Sequence, residues 1–99
     1  MAVADISVVP LGTGSSSVSR YVARALEVVE ASGLKYQVTP MATMVEGTVE
    51  EILKLAGDMH RAVLKEASRV VTSLRIDDRR DKPLTMEGKV RAVGKNVEV

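Results

Sequence analysis

The sequence contains no cysteine and almost no aromatic residues. Without cysteine among its 99 residues, the chain can form neither a disulfide nor a thiolate metal site. Trp and Phe are absent too, so stacking on a base or ring can come only from Tyr21 and Tyr36. The uncovered faces of the two predicted central strands carry no aromatic side chain. This excludes RNA recognition by base stacking.

An excess of charge and a long apolar run are also missing. A net charge of +1 provides no field that would attract nucleic acid or an anionic membrane. No apolar run approaches the roughly 20 residues that span a bilayer. The first five residues, Met1–Asp5, lack the basic start and apolar run of a signal peptide. We therefore expect a cytoplasmic protein with no nucleic-acid partner and no membrane partner.

The chain length supports one hydrophobic core, which predicts a single domain over residues 1–99. A chain of this size buries about 60–65% of its unfolded surface, so that core is modest. Self-association would add stability, and we expect an oligomer.

Periodicity predicts two helices and three strands in the first two thirds of the chain. Alternating β-branched residues indicate a strand over 3–11, and apolar residues at helical spacing indicate a helix over 17–32. The serines before this helix suit its cap, and Gly33 is a typical left-handed stop after it. Two short strands over 35–39 and 43–47 flank the bend at Pro40, Met41 and Ala42. Thr48 and Glu51 have the spacing of a capping box, which predicts a second helix over 48–66.

The last third of the sequence predicts one strand and a short helix. Alternation indicates a strand over 69–78. Thr85 can cap a helix whose apolar side carries Met86, Val90, Val93 and Val97.

The resulting order β-α-β-β-α-β predicts a ferredoxin-like α+β sandwich with a C-terminal helix added. We expect a four-stranded antiparallel sheet in the order 4-1-3-2, with two helices on one face. We also expect strands one and three to run parallel at its centre. That would place Gly12–Ser17, Tyr36 and Glu46–Thr48 at one end of the sheet. The opposite end would hold Thr39, Thr43, Arg75 and Asp77.

The sheet face away from the two helices is predicted to be mixed in polarity. Its apolar members Val9, Met44 and Val71 indicate that something covers part of it, and a second copy of the sheet is the simplest cover. The predicted members of this face are Asp5, Ser7, Val9, Gln37, Thr39, Met44, Glu46, Val71, Ser73 and Arg75.

Residues 36–48 combine hydroxyls, methionines, a tyrosine and a carboxylate on extended backbone. This mixture favours a half-buried small-molecule site. Glu46 could accept two hydrogen bonds from an aminopyrimidine edge, or it could be a solvated strand end. Thr39 and Thr43 could bind polar ligand atoms or be ordinary strand threonines. Tyr36 could stack on a ring or be a plain edge tyrosine.

Other candidates are weaker. Ser7 and Ser73 could read polar ligand edges or face solvent. The loop Gly12–Ser17 could present backbone N–H groups to an anion, yet it lacks the lysine of a P-loop and is equally typical of a flexible loop. His60, the only histidine, is expected at the surface, and no nucleophile–base pair stands out.

Several segments resemble the small thiamine-binding proteins. They are Ile6–Gly12, Ser17–Val22, the run from Tyr36 through Thr39-Pro40-Met41 and Thr43 to Glu46-Gly47, and Met86–Val90. The resemblance spans nearly the entire chain. It implies a ferredoxin-like fold, a homotetramer, and binding of thiamine or its hydroxymethylpyrimidine moiety. It implies no established enzymatic activity, and we expect neither a metal nor a cofactor.

The resemblance also suggests which side chains bind the ligand. It implies that Glu46, Thr39, Thr43 and Ser7 contact the aminopyrimidine edge and that Tyr36 or Met44 packs the ring. The main hypothesis is thus a non-catalytic ligand-binding oligomer. The alternative is a structural or regulatory oligomer that binds another small metabolite, or an anion near Gly12–Ser17. An enzyme with Glu46 as general base is a third possibility, unsupported by a second catalytic group.

Overall fold

The computed structural model describes residues 1–14 and 18–94, and Val97 lies outside them. Its strands form a four-stranded antiparallel sheet in the order β2-β3-β1-β4, which confirms the ferredoxin-like prediction. In chain order the elements are β1 (Ala2–Leu11), α1 (Ser19–Ser32), β2 (Lys35–Val38), β3 (Thr43–Gly47), α2 (Val49–Leu64), β4 (Arg69–Asp78) and α3 (Met86–Val93).

The predicted parallel pairing of the central strands was wrong. β1 and β3 run antiparallel, with Ala2 opposite Gly47 and Ile6 opposite Thr43. The crossover through α1 makes β2 run in the same direction as β1. The β2–β3 hairpin then reverses the direction of the chain. β3 must therefore oppose β1.

This reversal changes which residues share an end of the sheet. Gly12, at the end of β1, lies towards the hairpin end with Thr43, and away from Glu46. Val3 pairs with both Glu46 and Asp77, so Asp77 belongs to the Glu46 end. Asp5 pairs with both Met44 and Arg75, which places Arg75 mid-sheet. The predicted grouping of Arg75 and Asp77 with the two threonines was thus wrong.

Local signals set the helix ends. The Thr48 hydroxyl accepts from the Glu51 N–H at 3.1 Å, and the Glu51 carboxylate accepts from the Thr48 N–H at 2.9 Å, so the capping box is confirmed. Gly33 ends α1 at φ 74°, a left-handed conformation that costs glycine little. The N-cap of α1 is Val18, whose side chain makes no capping bond, so the predicted capping serine does not hold this position.

The main core lies between the sheet and the first two helices. Ile6 and Val45 from the sheet meet Val29 of α1 and Ile52 and Val63 of α2, all almost fully buried. Burying each such side chain stabilises the fold by about 1.5–3 kcal/mol.

The C-terminal helix covers half of the opposite sheet face. Leu84 and Met86 pack with Val3 in a second small core, and Met44 lies against it. The structure thus identifies α3 as the cover of Met44. Val9 and Val71, at the other half of this face, remain 43% and 46% exposed.

β1 is longer than its neighbour β3. Its last partner on the β3 side is Ile6, opposite Thr43, whereas on the β4 side its pairing continues to Leu11. Among the described residues, the β1 edge from Ser7 onwards therefore borders the hairpin turn and α1, and no strand lies between them. Among the helices of the described residues, none has the length and apolarity needed to cross a membrane.

Candidate functional site

Two recesses flank the β2–β3 hairpin, one on each side of the sheet. The first, the hairpin cavity, lies where β3 stops short of β1 and has a volume of about 130 Å³. The second, the α3 groove, runs between the open sheet face and α3 and has a volume of about 730 Å³. Thr39 lines both, so the hairpin is the wall that they share.

The hairpin cavity combines apolar walls with hydroxyl-bearing residues. Thr43 is only 8% exposed and lies on the helix-facing side of β3, while Ser7 lies on the free edge of β1. This combination of a mostly apolar wall and a few polar groups is typical of sites for small molecules. The apolar wall consists of Ile6, Val8, Val22, Ala25, Leu26, Val38, Pro40, Met41, Ala42 and Met59.

Thr39 shapes the cavity by closing the hairpin turn. Its hydroxyl donates to the Ala42 carbonyl at 2.7 Å and accepts from the Ala42 N–H at 3.2 Å. The Thr39 N–H also donates to the Ala42 carbonyl, at 2.9 Å. These bonds fix the turn through Pro40 and Met41, so the Thr39 hydroxyl is engaged within the protein.

Met41 is a cavity residue that the sequence analysis missed. It lines the cavity from the tip of the turn and is 86% exposed, unusual for a large apolar side chain. A flexible thioether in this position can move onto a bound ring. The sequence signal that could have identified Met41 is its position next to Pro40, in the predicted bend and outside both strands.

The α3 groove contains the other predicted ring-packing residues, Tyr36 and Met44. Met44 lies on the open sheet face, opposite Gln37 and Asp5. Tyr36 pairs with the core residue Val45 and lines the groove from the edge strand, where it is partly exposed.

Glu46 is bonded to α3. Its carboxylate Oε1 accepts from the Met86 N–H at 2.6 Å, and the residue is 8% exposed. A carboxylate at a helix N-terminus neutralises the positive end of the helix dipole. Glu46 thereby holds the start of α3 against the sheet. Its predicted contact with an aminopyrimidine edge stays a prediction.

Ion pairs hold α3 along its length. The Lys35 ammonium donates to Glu87 Oε1 at 2.7 Å, and Lys89 pairs with Asp77. The bond to Glu87 raises the pKa of Lys35, and the same bond lowers the pKa of Glu87. Both groups are thus charged at neutral pH, and the pair ties the edge strand β2 to α3.

The remaining polar candidates lie elsewhere. Arg75 donates to Asp5 on the open face at 2.9 Å, and this bond raises the pKa of Arg75. His60 was predicted at the surface, but it is half-buried, and its Nδ1 lies 2.7 Å from the Thr72 hydroxyl. Of the Gly12–Ser17 loop, residues 15–17 lie outside the described part of the chain, and Gly12 and Gly14 adopt left-handed conformations.

The structure thus divides the predicted site between two faces. Ser7, Thr39 and Thr43 line the hairpin cavity, with Ser7 at the free edge of β1, while Met44 lines the α3 groove from its sheet face. Tyr36 borders the groove from the edge strand, although its pairing with Val45 places it on the helix-facing side of the sheet. Strand alternation causes the division, because Thr43 and Met44 are neighbours in sequence and point to opposite faces.

The sheet order with two helices on one face defines a ferredoxin-like α+β protein. Residues 4–94 match the family described as thiamine-binding protein, and the chain belongs to that family.

Relatives and solved structures agree with this membership. The UPF0045 protein MJ1052 of Methanocaldococcus jannaschii is 47% identical over 92 residues, which cover 93% of this chain and 91% of the relative. The UPF0045 protein YqgV of Bacillus subtilis is 43% identical over a 103-residue alignment, which covers 99% of each.

The crystal structure of MJ1052 superposes with a TM-score of 0.88 at 46% identity, covering 93% of this chain and 94% of that one. A Thermotoga maritima protein, provisionally assigned to thiamine biosynthesis or salvage, superposes with a TM-score of 0.79. It is 33% identical, and the match covers 93% of this chain and 97% of that one.

Proposed function

We propose that this chain is a non-catalytic, cytoplasmic binding protein for thiamine or its hydroxymethylpyrimidine moiety. Membership of the thiamine-binding family supports the ligand class. The observation that carries the proposal is the hairpin cavity, where Ser7 and Thr43 line an otherwise apolar space of about 130 Å³.

The chemistry of the cavity suits an aminopyrimidine ring. Such a ring offers nitrogen acceptors and an amino donor, and a hydroxyl can both donate and accept. We assign the polar contacts to Ser7 and Thr43, and the apolar contact to the exposed Met41 in the turn. Thr39 maintains the turn. Met44 packs any part of the ligand that extends into the groove, Tyr36 borders that space from the edge strand, and Glu46 keeps α3 in place beside it.

The same cavity supports a binding role over a catalytic one. Catalysis by proton transfer needs a group such as a carboxylate or imidazole within hydrogen-bond reach of the substrate. The lining residues in the described part of the chain include no carboxylate, imidazole or amine. Glu46, the general base of the third hypothesis, is bonded to Met86 instead.

The working form that we propose is a homotetramer of this one-domain chain. The resemblance to the small thiamine-binding proteins implies the tetramer. One interface for it is the part of the open sheet face that α3 leaves bare, where Val9 and Val71 are cross-strand partners and both exposed. A second copy of the sheet would bury these side chains. Sedimentation analysis of the wild type and of Val9→Lys tests this part: the variant should dissociate.

Calorimetric titration with thiamine and with hydroxymethylpyrimidine tests the ligand. Thr43→Val removes the hydroxyl at nearly constant volume, and we expect about a tenfold loss of affinity, as for one lost hydrogen bond. Ser7→Ala should act similarly. Its matched control is Ser73→Ala, because Ser73 pairs with Ser7 across the sheet but does not line the cavity. Absence of heat with both ligands would overturn the proposal, and an intact oligomer would then favour the structural alternative.

A further inference from the structure

The α3 groove has a composition unlike that of the hairpin cavity. Its floor is apolar, formed by Val3, Met44 and Met86 with Val90 beside them. Methionine sulfurs make favourable contacts with aromatic rings, and two methionines form part of this floor. The Gln37 amide adds a group that can donate to and accept from a heteroaromatic edge. The groove therefore has the lining expected of a site for a planar ring.

Cationic side chains line the rim of this groove. Lys35, Lys89 and Arg91 are among its lining residues, and within the described part of the chain Glu87 is the one carboxylate there. The hairpin cavity, by contrast, has no charged side chain among the lining residues that the structure describes. The two recesses thus differ in the ligand charge that they favour.

Two of these cations are in exposed ion pairs. Lys35 binds Glu87, with more than half of each side chain exposed, and Lys89 binds Asp77 outside the groove. Exposed pairs of this kind contribute little, so an anionic ligand can compete for Lys35. Arg91 forms no ion pair within residues 1–14 and 18–94. Arg91 lies one helical turn after Glu87 on α3, which places it at the same end of the groove as the Lys35–Glu87 pair.

We propose that the α3 groove is a second small-molecule site, which takes the phosphate monoester of a small heteroaromatic alcohol. The ring lies on Met44 and Met86, and the phosphate lies between Lys35 and Arg91. A monoester carries close to two negative charges at neutral pH, so it complements this rim. The site is independent of the hairpin cavity, apart from the wall at Thr39, and it extends the proposed function from the neutral ring to its phosphorylated form.

Methionine methyl groups provide a direct test, because they are distributed between the two recesses. Met44 and Met86 line the groove, whereas Met41 and Met59 line the cavity. The protein with ¹³C-labelled methionine methyls is titrated with hydroxymethylpyrimidine phosphate, with hydroxymethylpyrimidine and with inorganic phosphate. We expect the ester to shift Met44 and Met86, and to bind about tenfold more tightly than inorganic phosphate, because it adds ring contacts to the charge-assisted bonds.

Charge-removing variants locate the phosphate. Lys35→Gln and Arg91→Gln should each weaken ester binding about tenfold and leave binding of the uncharged alcohol unchanged. The control is Lys54→Gln, since Lys54 pairs with Asp58 on α2 and does not line the groove. The proposal is overturned if the ester shifts only Met41 and Met59, or if both groove variants bind it like the wild type.

The two proposals fail in different ways. Thr43→Val impairs binding in the hairpin cavity, so any ester binding that persists in this variant takes place in the α3 groove. If the alcohol never binds but the ester binds in a manner sensitive to Lys35 and Arg91, the groove is supported and the cavity function fails. If the alcohol shifts Met41 and Met59, and the ester shifts the same two methyls with no higher affinity, the cavity function holds and the groove proposal fails.

Discussion

Oε1 of Glu46 accepts a hydrogen bond of 2.6 Å from the backbone N–H of Met86, 40 residues further along the chain. Glu46 is the next-to-last residue of β3, and Met86 is the first residue of α3. Both residues are largely buried. This buried bond fixes the first residue of the C-terminal helix on the sheet, and it acts together with the Lys35–Glu87 and Lys89–Asp77 ion pairs that shape the α3 groove.

Removing this acceptor should loosen α3. For Glu46→Ala we expect a loss of about 1–3 kcal/mol in the free energy of unfolding, because a buried N–H loses its partner. Urea denaturation measures the loss, and amide exchange at Met86 locates it. Glu46→Gln keeps a carbonyl oxygen for the bond and should recover much of the stability. Equal losses in the two variants would mean that the charge, and not the acceptor, holds the helix.

The attachment of α3 should depend on pH through Lys35 and Glu87. Because their bond lowers the folded-state pKa of Glu87, its contribution is complete above the ordinary glutamate pKa of about 4.3 and is lost as the pH falls through the lowered value. The raised pKa of Lys35 gives a contribution that is complete below about 10.4 and lost as the pH rises through the raised value. The Met86 methyl resonance should stay constant between these limits and move under acid. In Lys35→Gln the acid-dependent change should be smaller, and an unchanged profile would contradict the pairing.

The capping box should be the main local stabiliser at the start of α2. For Thr48→Ala we expect a loss of about 1 kcal/mol, because the Glu51 N–H loses its acceptor. Thermal unfolding measures it. Glu50→Ala is the comparison, since Glu50 lies in the same helical turn outside the box. A double-mutant cycle of Thr48 and Glu51 should show coupling, and strict additivity would refute reciprocal capping.

Adjacent residues of α2 should differ sharply in their contribution to the core. Ile52 is fully buried and Leu53 is 53% exposed. Ile52→Ala should cost about 2–5 kcal/mol through lost burial and a residual cavity. Leu53→Ala should change stability by less than about 0.5 kcal/mol. Denaturant titration compares them, and a large loss for Leu53→Ala would instead indicate that Leu53 is buried in an oligomer.

Much of the fold could be predicted because its signals are local. The alternation in β4, the Thr48–Glu51 spacing and Gly33 each act within a few residues of where they appear in the sequence. The strand order 4-1-3-2 followed from the element order. The relative direction of β1 and β3 depends on the β2–β3 hairpin, which reverses the chain between them, and the wrong direction placed Asp77 and the Gly12 loop at the wrong ends of the sheet.

The site was harder to predict because its partners are distant in sequence. Nothing around Glu46 indicates that Met86 will be its hydrogen-bond partner. The sequence of residues 36–48 also does not show that β3 is shorter than β1. This difference in strand length creates the hairpin cavity beside Thr43. The sequence therefore predicts a single site, although strand alternation places Thr43 and Met44 on opposite faces of the sheet.

Because β3 is shorter than β1, the length of the β2–β3 turn controls the size of the ligand that the hairpin cavity can hold. The space of the hairpin cavity exists because no strand within residues 1–14 and 18–94 pairs with β1 beyond Ile6 on that side. Residues inserted between Pro40 and Ala42 could extend the β2–β3 pairing along this free edge and occupy the space with backbone. A shorter turn would widen it. The chain can thus adjust what it admits through the one exposed bend of the hairpin, while Val45, Ile52 and the rest of the core stay unchanged.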